Sequence, residues 1–455
     1  MLIHFPTLLF LLPFATCDFF IISDIHLDIA FKSNYNSTYY CHSVLIQGQT
    51  TTPKETSDIQ PLTRPFCDSS FNLVESSLSE MQSIDSDPEF ILITGDFVAH
   101  YTSSILTSSG SFSPTYSQTL VQETFQQLSS LFNKFFPNTQ IIPVIGNNDG
   151  YADYEMPTGL EKLEYLEFLY SVWQPLSKDL SRKFLTDGYY SIKSKSGLNV
   201  IVLNSNFFSI NYQNIGLQGG VEMIWLKGQL EGNNNNIIVM HIPPSLTLYS
   251  GGKLSWYDYY SDIVLELIGE YSENINAILA GHYHIGSFQL IGQIPILINP
   301  SISPYFGNNP GFRYYNSNFT DFLQYNLNGY NVTGEWKSYS FSSLFGYDLN
   351  FTRLYQDLYS GKVGLYEYLR SINGLWLNLG IPDSQVCLQI FGSACSNGNA
   401  YLKQLLLCEI IYHTYTQFEE CMNNSTLIEE FIAKSQKASY YETSQHKLRS
   451  KHPVF

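Results

Sequence analysis

Five short apolar runs in this chain each stop at a residue that can ligate a metal, and that recurrence constrains the fold more than any other feature. The runs are DFFIISDIH, FILITGD, IIPVIGNND, IIVMH and AILAGHYH, and they end in Asp24 with His26, Asp96, Asn147, His241, and His282 with His284. Runs of four to six apolar, β-branched residues closing on a polar turn read as buried strands that deliver side chains to one edge of a sheet. Between them lie stretches with apolar residues at helical spacing. Phe71, Val74, Leu78 and Met81 form one, with Asp68 or Ser69 as its cap; Leu120, Phe125, Leu128, Phe132 and Phe135 form another within 115–136. Further helices are expected near 160–174, 220–230 and 258–270. Alternating strands and helices predict an α/β fold with covered sheets.

The donor set carries the chemistry. Asp24, Asp96 and Asn147 offer oxygen; His26, His241, His282 and His284 offer nitrogen; no thiolate takes part. Such a set suits Zn²⁺, Mn²⁺ or Fe. Seven ligands exceed one open site and match two divalent ions that share a bridging carboxylate, an arrangement that generates a hydroxide nucleophile and clamps phosphoryl oxygens. His100, ten residues past the start of the second run, is a proton-donor candidate.

The remainder of the chain frames that centre. Its 455 residues, 44% of them hydrophobic, allow one large catalytic domain and a smaller unit. A net charge of −17 with no Lys/Arg cluster excludes nucleic-acid binding by broad electrostatics. Residues 1–17 read as a signal peptide with an apolar run from Phe5 to Phe14, and no other run is long enough to span a bilayer, so the mature chain is expected to be soluble. Six cysteines then remain; proximity pairs Cys41 with Cys67, Cys387 with Cys395 and Cys408 with Cys421, out of 15 possible connectivities. Sequons at Asn36, Asn318, Asn331, Asn350, Asn423 and Asn424 suit a secreted glycoprotein. A polar loop covers 29–69, and short strands are expected over 286–340. The catalytic domain is placed at 18–345, a helical, disulfide-bearing subdomain at 346–435, and a polar tail at 436–455.

The ordered motifs D-I-H, G-D, G-N-N-D, a lone His and G-H-Y-H resemble those of the calcineurin-like metallophosphoesterases. Within that superfamily, GDFVAH, NPGFRYY and the cysteine-bearing helical tail resemble the acid sphingomyelinase-like phosphodiesterases. The resemblance implies a four-layer αββα sandwich with two zincs. Asp24, His26 and His284 would hold one zinc, Asn147, His241 and His282 the other, and Asp96 would bridge. The implied activity is hydrolysis of sphingomyelin-like or nucleotide-type diesters, outside the cell or in a lysosome-like compartment, by a metal-bridging hydroxide with His100 protonating the leaving oxygen. The partner is a small phosphorylated substrate: a phosphodiester, a nucleotide derivative, a phospholipid head group or polyphosphate.

Two departures from the family pattern matter. The acid sphingomyelinases proper carry a saposin-like module before the catalytic domain, whereas here the first strand directly follows the leader; this points to the branch acting on soluble diesters. Asn148 stands where the family has a histidine that binds phosphate and protonates the leaving group, and an amide is no acid. G-N-N-D also resembles the endopolyphosphatases of the superfamily, whose phosphate leaving group needs less proton assistance. A non-catalytic protein that binds phosphoryl ligands is the other alternative. Among the remaining histidines, His42, His413, His446 and His452 read as surface or structural.

Overall fold

The computed structural model describes residues 18–34, 41, 62–107, 109–214, 216–247, 253–316, 319–328, 334–372, 374 and 382–436. The leader, most of the loop at 29–69, the tail beyond 436 and the sequons at Asn36, Asn318 and Asn331 lie outside the described residues.

Two six-stranded sheets form the framework. The first is built from β1 (Phe19–Ile22), β2 (Phe90–Ile93) and β3 (Gln140–Pro143), which run parallel. The second contains β4 (Tyr190–Lys193), β5 (Asn199–Val202) and β6 (Asn236–Val239). A two-stranded ribbon, β7 (Leu246–Thr247) with β8 (Lys253–Leu254), follows the His241 loop. The second sheet resumes with β9 (Ile275–Ala280), β10 (Ser287–Ile291) and β11 (Ile294–Ile298). The first closes with an antiparallel meander, β12 (Gly311–Tyr315), β13 (Phe322–Leu327) and β14 (Trp336–Ser340). The strand orders are β14-β13-β12-β1-β2-β3 and β10-β11-β9-β6-β5-β4.

Every residue of β1, β2, β5 and β6 is buried, as strands covered on both faces must be. The sheets meet across their inner faces, where the Tyr190 hydroxyl on β4 donates to the Pro143 carbonyl on β3 at 2.7 Å. The connections are α1 (Phe71–Ile84), α2 (Pro114–Phe135), α3 (Gly159–Trp173), α4 (Phe184–Asp187), α5 (Gln218–Gly232) and α6 (Asp258–Glu270). Ser113 caps α2 and Pro114 opens it, the preferred pair at a helix start. In α1 the expected cap moves: Ser70, not Asp68 or Ser69, accepts from the Leu73 N–H. The buried stripe also rotates to Leu73, Val74, Ser77, Leu78 and Met81, which leaves Phe71 exposed.

Helices follow the sheets: α7 (Phe341–Phe345), α8 (Phe351–Ser360), α9 (Leu365–Ile372), α10 (Asp383–Phe391), α11 (Asn399–Ile411) and α12 (Tyr415–Asn423), with a further helical stretch over 426–436. The segment YLKQLLLCEIIYHTYTQFEECM, one helical run by its apolar spacing, is broken at Tyr412–Thr414 into α11 and α12. Helices α8 and α11 lie against β10, the outer strand of the second sheet, so an open edge is covered. One continuous apolar core runs from Phe19 to Ile428. The disulfides join Cys41 to Cys67, Cys387 to Cys395 and Cys408 to Cys421, with Cα separations of 5.7, 5.8 and 5.8 Å.

Candidate active site

The loops at the carboxyl ends of β1, β2, β3, β6 and β9 converge, and each contributes ligand candidates. Their backbone is strained in a consistent way. Among the described residues ten non-glycine residues have positive φ, and five of these are Asp24, His26, Asp96, His282 and His284. Left-handed backbone at bulky residues persists only where the surroundings impose it, and it clusters at functional sites. Gly95 belongs to the same turn: its φ is +95°, and a Cβ there would lie 2.7 Å from His241 Nδ1.

Three groups of donor atoms result: Asp24, His26 and Asp96; Asp96, His241 and His282; and His26, His100 and His284. Asp96 belongs to the first two. Its Oδ2 lies 3.4 Å from His26 Nε2 and 3.3 Å from His241 Nε2. His284 Nε2 is 3.0 Å from His26 Nε2 and 3.6 Å from Asp24 Oδ1. Asn147 Oδ1 stands 3.0 Å from His241 Nε2, while its amide nitrogen donates to Asp153 Oδ1 at 2.8 Å and so aims the oxygen inward. All seven residues named from the strand ends therefore meet in one place.

The tautomers of two rings are fixed. His26 Nδ1 donates to the Val98 carbonyl and His241 Nδ1 to the Thr94 carbonyl, each at 2.8 Å. In its neutral form each ring then presents an Nε2 lone pair to the centre, the usual arrangement behind a ligating histidine. Charges are frustrated there. Burial, reinforced by Asp96, pushes the Asp24 carboxyl up to about 7. Burial opposes ionisation of Asp96 too, yet His241 holds it well below the usual carboxylate range. Burial also lowers His241, but Asp96 outweighs it and lifts the ring to about 9. Burial and neighbouring imidazoles press His26 down to about 4 and His282 to about 3. Carboxylates and bare imidazole nitrogens this close repel without a cation among them, and a divalent ion takes the place of the shared proton. The residues present fit a divalent-metal centre.

His100 sits beside this cluster. Its ring stacks on His26 at 4.0 Å and on Tyr305 at 4.1 Å between centroids. Asp68 holds it twice, accepting from the His100 N–H at 2.9 Å and facing Nδ1 at 3.0 Å. Burial lowers the His100 pKa, but Asp68 more than offsets that and raises it above the ordinary value. Ser303 Oγ in turn donates to Asp68 at 2.9 Å. Asn148 meets Asp96 through both its backbone N–H, at 2.8 Å, and its side-chain amide, at 2.9 Å.

Two residues of this network escape a reading of motifs. Asp68, expected as a helix cap, is the His100 partner. Asp149, last letter of G-N-N-D, is fully buried and accepts from the backbone N–H groups of Gly146, Asp96, Phe97 and Val98 at 2.7, 3.0, 2.7 and 3.2 Å. It fastens the GNND loop to the GDFVAH loop. Its position in the motif is the only signal the sequence offers for it. Asp28 lies outside all three donor groups and accepts from Ala30 N at 2.8 Å, a turn contact.

Known proteins place the chain. The calcineurin-like phosphoesterase family model matches residues 18–286. A sphingomyelinase phosphodiesterase D of Dictyostelium discoideum is 30% identical over 72% of this chain and 80% of its own length. An acid sphingomyelinase-like phosphodiesterase 3b of Mus musculus is 26% identical over 70% of this chain and 74% of its own. The cyclic GMP-AMP phosphodiesterase SMPDL3A of Rattus norvegicus is 24% identical over 90% of this chain and 92% of its own. Buried strand-end donors, frustrated charge and these relatives agree: the chain belongs to the calcineurin-like phosphoesterase family, among its acid sphingomyelinase-like phosphodiesterases, and is a metal-dependent phosphodiesterase.

Proposed function

We propose that the protein is a secreted or lysosome-type phosphodiesterase with two divalent ions, Zn²⁺ by the character of its donors. Asp24, His26 and His284 would hold one ion, Asn147, His241 and His282 the other, and Asp96 would serve both. The observation that carries this reading is the membership of Asp96 in two of the three donor groups, one with Asp24 and His26 and one with His241 and His282. The ions supply positive charge that polarises phosphoryl oxygens and acidifies water.

The chain's own groups do the rest. Asp68 takes His100 Nδ1, which leaves Nε2 to pass a proton to the departing oxygen. Asn148 donates hydrogen bonds near the reacting phosphate but supplies no proton, so the acid role falls to His100 alone. The compartment follows from the leader, the three cysteine pairs and the sequons. Asn350, Asn423 and Asn424 are exposed, as glycan attachment requires, and no helix among the described residues is long and apolar enough to cross a membrane.

Asn148 also favours a second reading, an endopolyphosphatase. Purified protein assayed on bis-nitrophenyl phosphate, sphingomyelin, nucleotide diesters and long-chain polyphosphate separates the two. Hydrolysis of diesters is expected; cleavage of polyphosphate alone would replace the first reading with the second.

A further inference from the structure

One buried histidine lies outside the metal cluster and is nevertheless bonded at both nitrogens. His413, 3% exposed, sits in the break between α11 and α12. Its Nδ1 is 2.9 Å from the Pro244 carbonyl oxygen and its Nε2 is 3.1 Å from that of Leu290. The neutral ring donates to one of these carbonyls and the imidazolium to both. Either form ties the helix break to the sheets.

The two acceptors are informative. Leu290 belongs to β10, which has no strand on its outer side, and its place next to the hairpin pair Ile291–Ile294 turns its carbonyl away from β11 to that open side. A buried carbonyl there requires a donor from outside the sheet. Pro244 belongs to the loop HIPPS, which starts at the ligand candidate His241. Through this ring the edge of the second sheet and the ligand loop share one fastening.

That fastening is itself anchored. The Cys408–Cys421 disulfide brackets the break. One helical turn before His413, the buried Glu409 accepts from Gln289 Nε2 on β10 at 2.6 Å. On the far side, Ser245, the residue after Pro244, hydrogen bonds the Tyr283 hydroxyl, which Ser255 also meets at 2.6 Å. Tyr283 stands between His282 and His284 in the chain.

We propose that His413 is a positioning residue for the metal centre: it holds the 241–245 loop, and with it His241, in the place where the ring can ligate. This rests on the metal centre assigned above and is independent of which diester is cleaved. The pathway is lopsided, because His413 reaches the loop of His241 and no residue of the β1–β3 loops. Loss of the tie should therefore loosen one ion and spare the other.

The test uses the full chain loaded with Zn²⁺, comparing wild type with His413→Leu, which fills the volume without a donor, and His413→Gln, which keeps one. Chelator-driven release of each ion is followed beside hydrogen exchange over residues 241–247. In the Leu variant one ion should leave roughly tenfold faster, the size found when groups orienting a ligand are removed. Exchange over 241–247 should rise, kcat should fall with KM little changed, and Gln should restore part of each. Wild-type release and exchange in a folded Leu variant would overturn the proposal, as would equal loosening of both ions. Should the Leu variant not fold, the double variant Cys408→Ser/Cys421→Ser frees the break with His413 in place, and the same readouts decide in the same way. Ion release and exchange are readable even if no diester is hydrolysed, so failure of the substrate reading is told apart from failure of this one.

Discussion

The loops of β1, β2 and β3 bring Asp24, His26, Asp96 and Asn147 to the centre, whereas those of β6 and β9 bring only the imidazoles of His241, His282 and His284. The two sides are also held differently. On the first, backbone N–H groups dominate: Asp149 gathers four of them, three from 51–53 positions away, and Asp96 accepts from the Asn148 N–H, 52 positions on. On the second, single contacts from farther along the chain serve, the Thr94 carbonyl behind His241 and the His413 ring behind Pro244. A buried carboxylate loses its hydration, and backbone amides replace part of it, although burial still lifts Asp149 to about 7. An imidazole needs one acceptor behind it, which any passing element can supply.

Asp96 is where the two sides join, so Asp96→Asn should have the largest effect. Losing the shared charge should lower diester hydrolysis by roughly 10³-fold or more while the fold persists. Metal analysis should find fewer than two ions per chain. Full metal content with substantial activity would mean that the two sides hold their ions independently.

The proton donor belongs to the first side. His100→Ala should slow diesters with poor leaving groups by roughly 10²- to 10³-fold, and nitrophenyl esters far less, since a good leaving group needs little protonation. Asp68→Asn keeps the ring but removes the charge behind it, and a smaller loss of about tenfold is expected. Equal losses on both substrate types would assign His100 to binding rather than proton transfer.

Asp149→Asn tests the backbone-amide bonding of the first side alone. The amide turns a donor toward N–H groups that had an acceptor, and unpaired buried amides cost about 1–3 kcal/mol each. A drop of about 2–4 kcal/mol in unfolding free energy is expected from urea titration. A change under about 0.5 kcal/mol, the scale of an ordinary surface substitution, would show that the loops hold their shape without it.

Separation along the chain decides what could be read from the sequence. Strands ending in polar turns carry their own signal, because an apolar run and the polar residue that closes it are adjacent; hence the seven side chains that meet at the centre, and the five parallel strands that carry them, were legible. The order of the sheets was not, since β12 joins β1 across almost three hundred residues. Asp68 beside Cys67 looked like a helix cap because its partner His100 lies 32 positions away. His413 read as a surface or structural histidine for the same reason, its acceptors being 169 and 123 positions distant. The break at Tyr412–Thr414 is invisible to apolar spacing, since the pattern continues through it.

The smallest effect is expected at Glu409, on the second side. Burial lifts this carboxyl from 4.5 to about 8, and no Lys or Arg contributes to the shift. The groups around it are Gln289 on β10 and the hydroxyls of Tyr283 and Tyr368. Gln289 Oε1 has no hydrogen-bond partner among the described residues, which a protonated carboxyl would supply by donating to it. Between about 4.5 and about 8 the folded chain keeps a proton that the unfolded chain has released. Stability therefore falls as pH rises through that window, the reverse of the behaviour of a carboxylate held ionised by its partners. Glu409→Gln removes the titrating group and keeps the shape. Thermal unfolding from about pH 5 to about pH 8 should show a melting temperature that declines by several degrees in the wild type and declines less in the variant. Identical slopes would mean that Glu409 is ionised in the folded protein. In that case α11 would be fastened to β10 by a charge-assisted bond rather than by a neutral acid paired with an amide.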